Sequence, residues 1–135
     1  MASYNKFNAF VADIANKVHN LGSDQIKVAL TNSAPVATNT VLANITEISY
    51  TNCSSRNITT TSSTQSSGLY KLILADLILT ASGTVGPFRY IVIYTSTAAS
   101  GNLIGWYDYG SAVTLAASDT FTLDFDGTNG VLQIT

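Results

Sequence analysis

One histidine, His19, and one cysteine, Cys53, bound the acid–base and nucleophilic chemistry open to this chain. A Ser-His-Asp or Cys-His arrangement would have to be built around His19. Its position at the end of a predicted helix favours a simpler role, as a cation against the negative end of the helix dipole. Cys53 sits in a Ser/Asn-rich stretch, and a single thiol excludes an internal disulfide. The patterns of nucleophile elbows, phosphate loops and dinucleotide sites do not occur. A zinc site would need three or four ligands from one His, one Cys and scattered carboxylates. The expectation is a protein that is not an enzyme, with no catalytic residues, cofactor or metal.

Two carboxylate patterns come closer to a site. The stretch DFDGTNG (124–130) resembles a calcium loop, but an EF-hand counted from Asp124 needs a bidentate Glu where the chain has Thr135. Asp124 and Asp126 are instead expected at the start of a hairpin turn leading into VLQIT. Asp108 and Asp119 are two carboxylates with nothing in the sequence to make them a glycosidase pair. The densest signal is aromatic: GPFRYIVIYTS (86–96) and LIGWYDYG (103–110) hold four of the seven tyrosines and the only tryptophan. Tyr90 and Tyr94 share one strand face; Tyr107 and Tyr109 share another, with Trp106 opposite. Exposed aromatic platforms bind sugars, yet sheet cores and protein interfaces use the same residues. Most of these rings are expected to pack across strands, with Tyr107 and Tyr109 reaching a surface.

The elements that would position these groups are mainly strands. Phe7, Phe10, Val11, Ile14, Val18 and Leu21 recur at helical spacing, predicting one helix with Ser3 as its cap, an Asp13–Lys17 pair on its surface and Gly22 as its left-handed stop. From Ile26 the period becomes two. IKVAL (26–30) reads as a half-buried strand and ITEIS (45–49) as a weaker one. The run 51–68 carries almost no large apolar residue except Ile58, and is expected to form a long polar hairpin. LYKLILADLILTAS (69–82) is too long for one strand and should bend near Ala75–Asp76. In FRYIVIYTS, Phe88, Tyr90, Val92 and Tyr94 form one parity and Arg89, Ile91, Ile93 and Thr95 the other. Both are apolar in the middle, which marks a central strand covered on both faces. LIGWYDYG, AVTLAAS and TFTLDFD follow as further strands. The fold class expected is mainly β, an antiparallel β-sandwich or barrel-like domain with one N-terminal α-helix.

Composition narrows the function classes. The chain has 135 residues, expected to form one domain: an arm and helix over 1–22, and a sandwich over 23–135 with a polar excursion at 51–68. Only 10% of residues are charged, against roughly 25% in an ordinary soluble domain. Polarity comes from Ser, Thr and Asn. A net charge of −2 without a basic cluster argues against nucleic acid. No stretch approaches a membrane span and the start lacks a signal-peptide pattern, so the three sequons at Asn44, Asn52 and Asn57 are not expected to be glycosylated. A charge-poor, hydroxyl-rich surface fits a protein covered by neighbours.

The order FNAFVADIANKVHNLGSDQIKVALTNSAPVATNTV, GPFRYIVIYTS, LIGWYDYGSAVTLAASDTFTLDFDGTNGVLQI resembles a group of small virion proteins of tailed bacteriophages. The resemblance is weakest over 51–68. It implies a structural protein present in many copies or as a homo-oligomer, most like a capsid decoration (cement) protein. The partners implied are the major capsid protein or other virion proteins, in a virion assembled in the host cytoplasm. A tail, neck or fibre module with a carbohydrate- or receptor-binding role is the alternative. The side chains singled out for partner contact are Phe7, Phe10, Ile58, Trp106, Tyr107 and Tyr109.

Overall fold

The computed structural model describes residues 2–135. Its frame is a five-stranded antiparallel sheet whose neighbours run β1 (Tyr4–Lys6), β8 (Leu103–Leu115), β7 (Val85–Thr95), β2 (Ile26–Thr31) and β3 (Asn57–Ile58). Two smaller antiparallel sheets are β10 (Leu132–Ile134), β5 (Leu69–Leu74) and β4 (Thr60–Ser66) in that order, and β6 (Leu77–Thr80) with β9 (Thr120–Leu123). The small sheets pack on one face of the large one. Ile26, Val28 and Leu30 of β2 and Phe88, Ile91 and Ile93 of β7 meet Leu72 and Leu74 of β5, Leu79 of β6 and Leu123 of β9 in one core.

The opposite face of the large sheet is covered too. Ala29, Val92, Tyr94 and Leu103 pack under Phe7, Leu42 and Ile45. Strand β7 is therefore the two-sided central strand expected from its apolar run, with Ile91, Val92, Ile93 and Tyr94 all buried. Strand β2 is buried on both faces as well, rather than half-buried. It lies between β7 and β3, and Ala29 is small enough to leave room for the covering segment.

Several boundaries differ from expectation, each for a local reason. The helix α1 spans only Ala9–Ala15, because Tyr4–Lys6 pair with β8 ahead of it and Lys17 turns left-handed (φ 64°) behind it. Asn16, Val18 and Asn20 are weak helix formers, so little opposes that early stop. Ser3 thus lies outside the helix, and Gly22 is not its stop. Asp13 does not pair with Lys17; it accepts a hydrogen bond from Asn102 (3.1 Å) and approaches His19. Val11 is 56% exposed while Phe10 is buried, since a two-turn helix can turn only a narrow stripe inward. ITEIS forms no strand: a 3-10 turn at Leu42–Asn44 precedes it, and one bridge from Thr31 to Glu47 is its sheet contact.

The parity of β7 breaks at Phe88, which joins Ile91 and Ile93 in the core instead of siding with Tyr90. Opposite the lone Arg89, β8 inserts Tyr109–Ala112 between the pairs Tyr90–Asp108 and Phe88–Val113, and a bulge of this kind shifts side chains to the other face. With that bulge, LIGWYDYG and AVTLA form one strand rather than two. The expected hairpin between TFTLDFD and VLQIT is absent; β9 pairs with β6 and β10 with β5, so the Asp126–Gly130 loop crosses between sheets.

The long apolar run divides at Ala75–Asp76, between β5 and β6, as expected. The polar run 51–68 is not a hairpin by itself: Asn57–Ile58 pair with β2 as β3. Thr60–Ser66 form β4, one arm of a hairpin whose other arm is the apolar β5, closed by Ser67 and Gly68 at φ 51° and 82°, the two left-handed residues that a tight hairpin turn requires. Its root is tied down: Arg56 donates to the Val28 carbonyl (2.6 Å) and lies 3.5 Å over the Tyr50 ring.

The N-terminal segment is part of the core rather than a detachable arm. Phe7 is fully buried, and the Tyr4 ring rests on the bare Cα of Gly105, where any Cβ would collide with it. Phe7→Ala is expected to lower stability by about 3–5 kcal/mol and Ile93→Ala by about 2–5 kcal/mol, whereas Val11→Ala stays within about 0.5 kcal/mol. Denaturant melts check this, and a loss below about 1 kcal/mol for Phe7→Ala would show the segment to be dispensable.

Candidate functional site

The groups with chemical potential are spread over the molecule and mostly occupied in local structure. His19 is buried against the Phe10 ring (centroids 5.2 Å apart), and neither ring nitrogen has a hydrogen-bond partner. Burial lowers its pKa, outweighing the Asp13 and Asp24 carboxylates and the nearby Leu103 carbonyl, which lies outside hydrogen-bond geometry, all of which favour the charged form. It is therefore a neutral core side chain and not the helix-terminal cation expected. Cys53 lies in a bridge to Ala81 on the flank of β6, its thiol pushed up by burial despite Arg56. A protonated thiol is a poor nucleophile.

The carboxylates have separate duties. Asp108 takes a two-pronged hydrogen bond from Arg89 (2.8 and 3.0 Å) and one from the Gly110 amide, which holds its pKa below the usual range and pins the β8 bulge. Asp119 accepts from the Ala116 amide (2.8 Å) in the turn before β9. Asp126 accepts from the amides of Thr128 and Asn129 (both 2.8 Å) and from the Asn129 side chain, and these donors lower its pKa. The aspartate in DFDGTNG thus organises a loop. Among the described residues no three His, Cys, Asp or Glu side chains converge.

Two surface features stand out. The first is an aromatic cleft of about 350 Å³ where β8 and β9 diverge beside β1. Tyr4 and Tyr107 meet edge-to-face at 5.8 Å, Tyr109 and Phe121 at 5.1 Å, and Phe125 lies 6.4 Å from Tyr107. Asp124 and Asp126 stand among its lining residues. Burial and the Asp126 charge push the Tyr107 hydroxyl up to about 12, so it remains a hydrogen-bond donor at neutral pH. The second feature is the outer edge of β4. Among the described residues no strand pairs with it, and TTSSTQS carries neither charge nor proline.

The side chains singled out for partner contact divide. Phe7, Phe10 and Ile58 are buried in the chain's own cores, at 0, 5 and 3% exposure, because their apolar stripe is satisfied by the chain's own sheets. They are not offered to a partner. Trp106 is half-buried on the other sheet face, 4.5 Å from Phe7, away from the tyrosines. Tyr107 lines the cleft and Tyr109, 52% exposed, forms its rim. Tyr4, Phe121 and Phe125 complete the cleft and were not singled out. The alternation Phe121, Leu123, Phe125 was visible, but its meeting with β8 depends on a sheet pairing far apart in sequence.

No protein-family model matches the chain, and no curated protein or solved structure is significantly similar to it.

His19 makes stability depend on pH. Unfolded, it titrates near its ordinary value of about 6.5, whereas the fold holds that pKa lower. Between those values the unfolded chain binds the extra proton, so stability is complete above about pH 7.5 and falls as pH drops through 6.5. Thermal melts should show Tm declining from about pH 7.5 to 5.5, and His19→Gln should flatten that decline. A wild-type Tm that is constant or rising over this window would contradict a neutral buried His19.

Proposed function

We propose that this protein is a structural component of a tailed-bacteriophage particle, a decoration (cement) protein that binds the outside of the shell in many copies and stabilises it. The observation that carries the reading is the edge of β4. An exposed strand edge is a template for pairing with another chain, and proteins that act alone blunt it with lysine, proline, a covering loop or extreme shortness. Most other edge strands have such protection: β1, β3 and β10 are two or three residues long, the Ser54 side chain and amide bond β6 at Thr80, and β9 has only four residues. Strand β4 has seven residues and no charge; a register shift between Thr60 and Ser62 leaves Ser62–Ser66 in regular pairing with β5, roughly 16 Å of extended edge.

The chemistry of that edge suits assembly. Hydroxyl and amide side chains meet partner backbone without the cost of burying charge. With 10% charged residues over the chain, the contact would depend little on ionic strength. A protein that binds the closed shell in preference to free capsid subunits stabilises the shell by mass action. The partners are capsid subunits or neighbouring copies of the chain, joined along β4. Sequence order supports the same reading through its resemblance to small phage virion proteins.

Particles lacking the protein should assemble but lose DNA at lower temperature than complete ones. Purified protein should restore their resistance, also in about 0.5 M salt. The variant Thr61→Lys/Thr64→Lys, which charges the edge on exposed positions, should fold normally and fail to restore it. Depleted particles as heat-resistant as complete ones, yet unable to adsorb to cells, would overturn the cement reading in favour of a tail or fibre module.

A further inference from the structure

We propose that the cleft between β8 and β9 binds a neutral pyranose, the terminal sugar of a glycan, with Tyr109 and Phe121 as its stacking surface and Asp124 and Asp126 as acceptors for its hydroxyls. The inference rests on the cleft alone and does not require the reading of the β4 edge.

A pyranose has one or two faces of C–H bonds and a rim of hydroxyls, so it needs aromatic rings bordered by hydrogen-bonding groups. The cleft offers that combination. Tyr109, at 52% exposure, and Phe121, half-buried, stand edge-to-face at 5.1 Å in the lining of the cleft. The Arg89–Asp108 pair and the left-handed Gly110 (φ 99°) fix the bulge that carries Tyr109, so the ring is held in place before any ligand arrives. Phe88 backs Phe121 at 5.2 Å and 83°, which fixes the second ring. The Asp126 carboxylate is held by three donors from its own loop and still has lone pairs to accept from a hydroxyl.

Charge and size discriminate among ligands. Two carboxylates and no lysine or arginine line the cleft, which disfavours phosphorylated, sulfated or carboxylated ligands. A volume of about 350 Å³ lies at the small end of ligand pockets, matching one or two sugar rings rather than a helix or a lipid chain. A ligand of that size at ordinary efficiency reaches a Kd on the order of 1 mM.

The test is amide chemical-shift mapping of the intact protein with the methyl glycosides of glucose, galactose, mannose and N-acetylglucosamine, and with glucose 6-phosphate as the anionic probe. At least one neutral glycoside should give saturable shifts at Tyr107, Tyr109, Thr122 and Asp124. Tyr109→Ala should weaken it about tenfold, the worth of one aromatic contact, and Tyr109→Phe should keep it. An unchanged spectrum away from the cleft shows that the variants fold. Trp106, on the opposite sheet face, should not respond. The proposal is overturned if no neutral glycoside shifts the cleft, if Tyr109→Ala binds as tightly as wild type, or if glucose 6-phosphate binds better than the glycosides. Tyr109→Ala should still restore heat resistance to depleted particles, so the two readings can fail separately.

Discussion

Strand β7 has no solvent side from Ile91 to Thr95, where every residue is buried. A strand in that position must be apolar on both parities, and it needs cover on both faces. Much of the architecture answers this constraint. The two small sheets close one face, contributing Leu72, Leu74, Leu79 and Leu123. The N-terminal segment and the stretch after β2 close the other with Phe7, Leu42 and Ile45. That double cover explains why a segment expected as an arm is built into the core, and why a helix predicted to be long gives way to a short strand and two helical turns.

Beyond the residues that β7 buries, the same strand sets the sites. At Arg89 its partner β8 bulges, and the Arg89–Asp108 pair anchors the displaced loop. Tyr109 is thereby carried towards Phe121 of β9, opening a cleft where a regular strand would have kept the rings apart. At the far side of the sandwich the β4–β5 hairpin extends the smaller sheet until β4 is left with an uncovered edge. The two surface features are consequences of one arrangement: a core satisfied at its centre, with irregular and uncharged margins. A chain so poor in charge has few devices for discouraging contact at those margins, which is why an assembly role is proposed for it.

How much of this was legible follows from the range of each interaction. The two-sided burial of β7 could be read because it is written in consecutive residues, Ile91 to Tyr94. The division at Ala75–Asp76 was legible for the same reason, since turn chemistry is local, whereas the polar run supplies only one arm of its hairpin because the other is the apolar β5. The parity of Phe88 was not, since it changes where the β7–β8 register breaks on either side of that residue. Nor was the fate of VLQIT, which pairs with β5 rather than with its sequence neighbour. The aromatic site was half visible. Tyr107 and Tyr109 were identified, while Trp106 proved to serve the opposite face and Tyr4, Phe121 and Phe125 come from strands whose pairing is non-local. His19 was misread as a surface cation because its burial depends on Phe10 and on the turn created by Lys17.

The central functional claim is that the outer edge of β4 becomes a strand-pairing interface on the particle. Amide hydrogen exchange compares that edge directly in the free and particle-bound protein. Outward-facing amides between Thr60 and Ser66 have no partner in the isolated fold and should exchange rapidly there, then become strongly protected on binding. Amides in this strand that exchange as fast on the particle as in solution, while the protein remains bound, would contradict the account.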